Sequence, residues 1–225
     1  MMLYIVSTPI GNLKDITLRA LEILKEADLI AAEDTRHTKI LLDHYQITTP
    51  TTSYFEHNQL KKGDFLLSKL KEGQKIALVT DAGTPGISDP GYQLIRLARE
   101  NDIPVTVIPG PTALIAALSL SGLPAHNFIF EGFLPVKSGA RRKKLEEIKA
   151  EKRTVIFYES PHRLLKALED IKEVLDNPQV VVAREITKKF EELKKTSATD
   201  LIQHFSKTTP KGELVLLLNL ADKNK

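Results

Sequence analysis

The stretch Thr80-Asp81-Ala82-Gly83-Thr84-Pro85-Gly86-Ile87-Ser88-Asp89-Pro90-Gly91 joins an apolar run, Ile76–Val79, to a helical pattern beginning near Tyr92. A short apolar run ending in a loop and followed by period-3.6 spacing is the strand–loop–helix half of a βαβ unit. Residues 81–91 hold three glycines and two prolines, so the loop is permissive at some positions and rigid at others. A tight turn with an Asp-Pro-Gly helix start accounts for Asp89-Pro90-Gly91 but leaves the irregular residues before it unexplained. In open α/β sheets ligands sit outside the carboxyl ends of strands, which makes this a binding loop.

Working outward, apolar strand candidates recur at Leu3–Ser7, Leu29–Ala32, Ile76–Thr80, Val105–Ile108, Phe128–Glu131, Thr154–Tyr158, Val180–Ala183 and Leu214–Leu218. Helical spacing lies between them, as at Leu18, Leu21, Ile23 and Leu24, and at Leu164, Leu165, Leu168 and Ile171. Ser160-Pro161 reads as an N-cap serine with proline at the first helical position. The alternation predicts an α/β fold with mostly parallel sheets. Ser119-Leu-Ser-Gly-Leu-Pro124 breaks a helix, which places a domain boundary there and predicts two α/β domains, 1–120 and 121–225. The end of the chain, 222–225, reads as a polar tail.

At 225 residues, 27% charged and 42% hydrophobic, the composition is that of a globular chain. No apolar run reaches the roughly 18 residues of a membrane span, and Met1–Val6 reads as a buried strand rather than a signal peptide. The chain has no cysteine, which excludes thiolate chemistry and agrees with a cytoplasmic location. The net charge of +3 is uninformative, but eight basic residues face three acidic ones between Lys137 and Arg153. That local excess is either a solvated helix face or a phosphate-binding patch.

Other chemistries are poorly matched. Gly86 and Gly91 have P-loop spacing, but Tyr92 stands where lysine is required, and Ser7–Asn12 holds a single glycine, so no GxGxxG exists. The six histidines lack metal-binding spacing, no metal is expected, and no GxSxG elbow is present. Glu33-Asp34-Thr35-Arg36-His37-Thr38 follows the second strand. Such a cluster of charges must pair internally or meet a substrate. In Ile108-Pro109-Gly110-Pro111-Thr112-Ala113, Thr112 is placed to cap a helix or to offer its hydroxyl to a ligand.

These runs, with Ser7-Thr8-Pro9-Ile10-Gly11-Asn12-Leu13, Phe157-Tyr158-Glu159-Ser160-Pro161-His162-Arg163 and Arg184-Glu185-Ile186-Thr187-Lys188, occur in an order that resembles one family. It is the bacterial 16S rRNA cytidine 2′-O-methyltransferases of the tetrapyrrole methylase fold. The resemblance covers nearly the whole chain, which stops soon after its last strand, where some relatives carry an extension. It implies two α/β domains with S-adenosyl-L-methionine in the interdomain cleft, a homodimer, and 16S rRNA in the small ribosomal subunit as partner. By motif position the cofactor would contact Pro9, Asp81, Ala82, Gly83, Ile87, Ser88, Thr112, Ala113, Tyr158, Ala183, Gly212 and Leu214. Glu33 and Asp34 are the first candidates for a general base, with Asp81 behind them, and Arg36 belongs to the same catalytic cluster. Arg141, Arg142, Lys143, Lys144, Arg184 and Lys188 are candidates for gripping RNA. The rival readings are a methyltransferase of the same fold acting on a tetrapyrrole-type small molecule or a protein side chain, and a non-catalytic module that binds a nucleotide or RNA.

Overall fold

Burial on both faces organises the first sheet. The structure is a computed structural model describing residues 1–207 and 210–222. Its contacts divide the chain into Met1–Thr112 and Ala113–Lys225. The first unit runs β1 (Met2–Val6), α1 (Leu18–Glu26), β2 (Leu29–Ala32), α2 (Thr35–His44), β3 (Thr51–Ser53), α3 (Gln59–Lys71), β4 (Lys75–Val79), α4 (Tyr92–Glu100) and β5 (Val105–Ile108). The strand order is β3-β2-β4-β1-β5, and every pairing in it is parallel. Along β4, Ile76 and Leu78 pack with Leu66, Leu70, Leu94 and Ala98 of α3 and α4. The alternate residues Ala77 and Val79 pack with Ala20, Leu24, Leu41 and Leu42 of α1 and α2. Helices on both faces explain why these strands read as continuous apolar runs.

The second unit runs α5 (Ala113–Ser121), β6 (Phe128–Phe133), α6 (Ser138–Glu147), β7 (Thr154–Glu159), α7 (Leu164–Val174), β8 (Gln179–Arg184), β9 (Glu192–Ser197), α8 (Ala198–Lys207) and β10 (Leu214–Leu218). Its sheet is ordered β6-β7-β10-β8-β9. Its core gathers Phe157, Leu164, Leu168, Ile171, Leu201 and Leu216 among others.

Taken over both sheets most pairings are parallel, but the second sheet is mixed. There β6 and β7 are parallel, whereas β10 is antiparallel to both β7 and β8, and β9 to β8. Two strands, β3 and β9, have no counterpart among the apolar runs. Both are edges, and β9 is polar, Glu192-Leu-Lys-Lys-Thr-Ser197, as suits an edge protected by lysines. The division after Thr112 lies N-terminal of the expected boundary at 120, because α5 packs on β7, β8, β9 and β10 of the second unit. Ser160 does not cap α7: a turn closed by Arg163 N–H to the Ser160 carbonyl precedes a helix that starts at Leu164. Of the expected polar tail, residues 223–225 lie outside the described residues. Among the described residues no helix is long and apolar enough to cross a membrane.

Candidate active site

In the first unit the connections leaving β1 and β4 pack on opposite faces and lead to opposite sides, which opens a crevice at the carboxyl ends of these two strands. There Thr8 and Gly83 exchange main-chain hydrogen bonds, Thr8 N–H to Gly83 O at 2.8 Å and Gly83 N–H to Thr8 O at 3.1 Å. Thr84, one residue on, links three loops. Its hydroxyl lies 2.9 Å from Ser7 Oγ after β1 and 2.8 Å from Thr112 Oγ1 after β5. The three hydroxyls form one chain, so loops distant in sequence are fixed together before any ligand arrives.

Beside this chain stand three carboxylates from the ends of β2 and β4. Glu33 Oε2 accepts from Thr80 Oγ1 at 2.5 Å and from Asp81 N–H at 3.3 Å. Asp81 Oδ1 accepts the Asp34 N–H at 3.1 Å. Asp34 points away: it caps α2 through Arg36 N–H at 2.8 Å and receives the Arg36 guanidinium on both oxygens, at 3.1 and 2.7 Å. Those hydrogen bonds to Arg36 lower the Asp34 pKa to about 2. Asp81 moves the other way, raised by burial and by the neighbouring charges of Glu33 and Asp34. No three His, Cys, Asp or Glu side chains cluster as a metal would need among the described residues.

The depressed Asp34 carboxyl carries a pH signature. A carboxylate with a folded pKa below its unfolded value contributes stability above about pH 4, and loses it as pH falls toward 2. Parent and Asp34→Asn unfolding curves should therefore converge in that acid window. A constant gap between them down to pH 2 would refute the pairing with Arg36.

The expected cofactor contacts of the first unit come together. Pro9 is buried at the end of β1, Asp81, Ala82 and Gly83 line the end of β4, Ile87 and Ser88 are exposed on its loop, and Thr112 closes the hydroxyl chain before α5 begins at Ala113. Ser88 adopts φ +63°, a strained value for a non-glycine residue that marks a held loop. Thr84 and Ser7 belong to the same site, although only their place in the quoted motifs signalled it. A zwitterionic, sulfonium-bearing ligand fits this donor set, which offers hydroxyls, main-chain groups and carboxylates. Gly83 sits at φ +88°, and a Cβ there would lie 3.6 Å from Ile10 Cγ2 and 3.7 Å from the Pro111 carbonyl. Those are ordinary contacts for a Cβ, but Gly83→Val adds γ-methyls beyond them and about 1–3 kcal/mol of backbone strain from the positive φ. We expect calorimetry to show cofactor affinity lowered at least tenfold, and parent-like affinity would displace the site from this loop.

In the second unit the expected contacts are less uniform. Tyr158 is half-buried, and its hydroxyl accepts the Leu114 N–H at 3.3 Å. Ala183 and Leu214 are buried inside strands, paired with Val215 and with Glu159 and Arg184. Gly212 is exposed, at φ +88°.

Of the expected RNA contacts, Arg141 needs correction. Arg141 is buried, 3% exposed, and its guanidinium is spent on Asp170 at 2.6 Å and on the Pro135 and Val136 carbonyls. It cannot grip a phosphate. Arg142 pairs with Asp170 and Glu173, Lys144 with Glu131, Arg184 with Glu192, and Lys188 with Glu185 and Glu213. Lys143 alone of the six is exposed without an ion pair among the described residues. Three of the eight basic residues of 137–153, Arg141, Arg142 and Lys144, are thus paired with acids elsewhere in the second unit.

Residues 2–202 match the family model for Tetrapyrrole (Corrin/Porphyrin) Methylases. The chain is 54% identical over 219 residues to Ribosomal RNA small subunit methyltransferase I of Escherichia coli O157:H7, covering 96% of this chain and 77% of that one. Against the protein of the same name from Thermotoga maritima it is 48% identical over 217 residues, covering 96% and 97%. A solved uroporphyrin-III-C-methyltransferase from Thermus thermophilus superposes with a TM-score of 0.68 over 98% of this chain and 95% of that one, at 19% identity. That likeness speaks for the fold alone.

Proposed function

Because the chain belongs to the tetrapyrrole methylase family, we propose that it transfers a methyl group from S-adenosyl-L-methionine to small-subunit ribosomal RNA, at the 2′-hydroxyl of a cytidine. The observation that carries the substrate is its identity, around half, over nearly its whole length to relatives named for that RNA. The bound cofactor supplies an electrophilic methyl on a sulfonium that departs as a neutral thioether, so no leaving-group acid is needed.

What this chain must add is alignment and a place for the ribose proton. Asp81 is the base. One oxygen, Oδ1, is anchored by the Asp34 N–H, while Oδ2 has no hydrogen-bond partner among the described residues and is available for a proton. Its raised pKa makes it a better proton acceptor than an ordinary aspartate. Glu33 is a positioning residue, holding Thr80 and the Asp81 backbone. Asp34 and Arg36 satisfy each other and order the start of α2. The Ser7–Thr84–Thr112 chain, Gly83 and Ser88 form the cofactor-binding wall contributed by the first unit.

The test uses small ribosomal subunits and cofactor labelled in its methyl group, followed by alkaline hydrolysis of the RNA. A 2′-O-methyl group protects the adjoining phosphodiester, so label should survive in an alkali-resistant dinucleotide containing cytidine. Label released in a mononucleotide would overturn the 2′-hydroxyl. Label found only in added tetrapyrrole or in ribosomal protein would overturn the RNA substrate.

A further inference from the structure

In the second unit, β6 contains an irregularity that the proposed chemistry has not used. Its register with β7 is regular from Phe128↔Thr154 to Phe130↔Ile156, and then slips, so that Phe133 rather than Gly132 stands opposite Tyr158. One extra residue is inserted, and Gly132, at φ +65°, takes the left-handed position. Simple alternation would put Phe130 and Phe133 on opposite faces. Instead both rings meet the same Tyr158 ring edge-on, at centroid distances of 4.9 and 5.7 Å.

The backbone beyond the bulge is clamped. The Arg163 guanidinium donates to the Leu134 carbonyl and lies 3.2 Å from the buried Glu159 carboxylate. Leu134 itself is buried in the core. Yet Phe133, between these anchors, is 53% exposed, and Val136 is 73% exposed. Lys137 and Lys143, which follow, are exposed with no ion pair among the described residues. A bulge disrupts a ladder and is kept where it re-aims a side chain. Here it turns a large apolar ring toward solvent while Tyr158 holds it in a T-shaped contact, which is poor packing but a good platform.

We propose that Phe133 is a stacking platform for an unstacked base of the RNA substrate, with Lys137 and Lys143 attracting the adjoining phosphates. The inference rests on the RNA reading given above. Sequence-specific RNA recognition targets loops and ends whose bases can be splayed out and stacked on aromatic rings. Such stacking needs only an open, rigid π-face and tolerates any base.

The chain has no tryptophan, so Phe133→Trp places a single indole at the platform. Adding small ribosomal subunits should quench its emission. Phe133→Leu and Phe133→Ala should raise KM for the subunit about 5- to 100-fold, from the usual worth of base–aromatic stacking. Cofactor affinity should change far less than KM, although Phe133 packs on Tyr158, and Phe133→Tyr should keep the parent KM. A Trp variant that methylates subunits without quenching, or a Leu variant with parent KM, would overturn the platform. The parent is scored separately: if it fails to methylate the subunits, the RNA reading falls and takes the platform with it.

Discussion

Asp81→Asn should lower the single-turnover rate of methyl transfer by about 10²–10⁴-fold at saturating RNA and cofactor, the usual range for loss of a general base. Saturation removes the binding terms, so the loss belongs to the chemical step. Asparagine keeps an oxygen to accept the Asp34 N–H and removes the negative charge together with the capacity to take a proton. In the parent the rate should rise with pH as Asp81 ionises, at a pH above the ordinary aspartate value of 3.8. The variant should lack that limb.

The same raised pKa sets the sign of a stability change. A carboxyl that binds its proton more tightly folded than unfolded loses stability as pH rises through its folded pKa. At neutral pH the Asp81 carboxylate therefore destabilises the fold. Asp81→Asn should be at least as stable as the parent at pH 7, with the difference closing below about pH 4. Lost rate with undiminished stability is the pattern of a functional group held against its own preference. A parent-like single-turnover rate would sink the assignment. Glu33→Gln should lower the rate less, since Glu33 acts through Thr80 and the Asp81 backbone, and a larger loss there would make Glu33 the base.

How much of this was legible beforehand depended on what each residue was buried against. The eight apolar runs all became strands, and all but β6 contribute side chains to the buried cores beneath the helices. The edge strands β3 and β9 were not legible, since an edge needs neither apolar residues nor alternation. Nor was the direction of β10, whose all-apolar sequence, Leu214–Leu218, suits a central strand of either sense. At the site, the loops after β1, β2, β4 and β5 could be read from Gly, Pro and clustered charge. The division of labour among Glu33, Asp34 and Asp81 could not, because it depends on which carboxylate Arg36 reaches. Charge counting failed most clearly at Arg141, where the partner Asp170 lies 29 residues away and a basic run disguised an interior ion pair.

That ion pair yields the other large effect expected, and it concerns stability. Arg141→Gln should cost about 3–5 kcal/mol, because it leaves a buried carboxylate without its main compensating charge. Asp170 is 6% exposed and accepts from Ser138 and Arg141, with Arg142 reaching its outer oxygen at 3.2 Å. The remaining donors cannot replace a guanidinium that also satisfies the Pro135 and Val136 carbonyls. Those carbonyls belong to the segment that carries Phe133, so the loosening should spread to the proposed base platform. Replacing both partners with apolar residues, Arg141→Met with Asp170→Leu, should recover much of the loss, since an ion pair removed whole leaves no orphaned charge. Denaturant midpoints of the parent, the single variant and the double variant decide the point. If Arg141→Gln instead keeps the parent midpoint and only weakens RNA binding, Arg141 faces solvent and the basic run is a phosphate-binding surface after all.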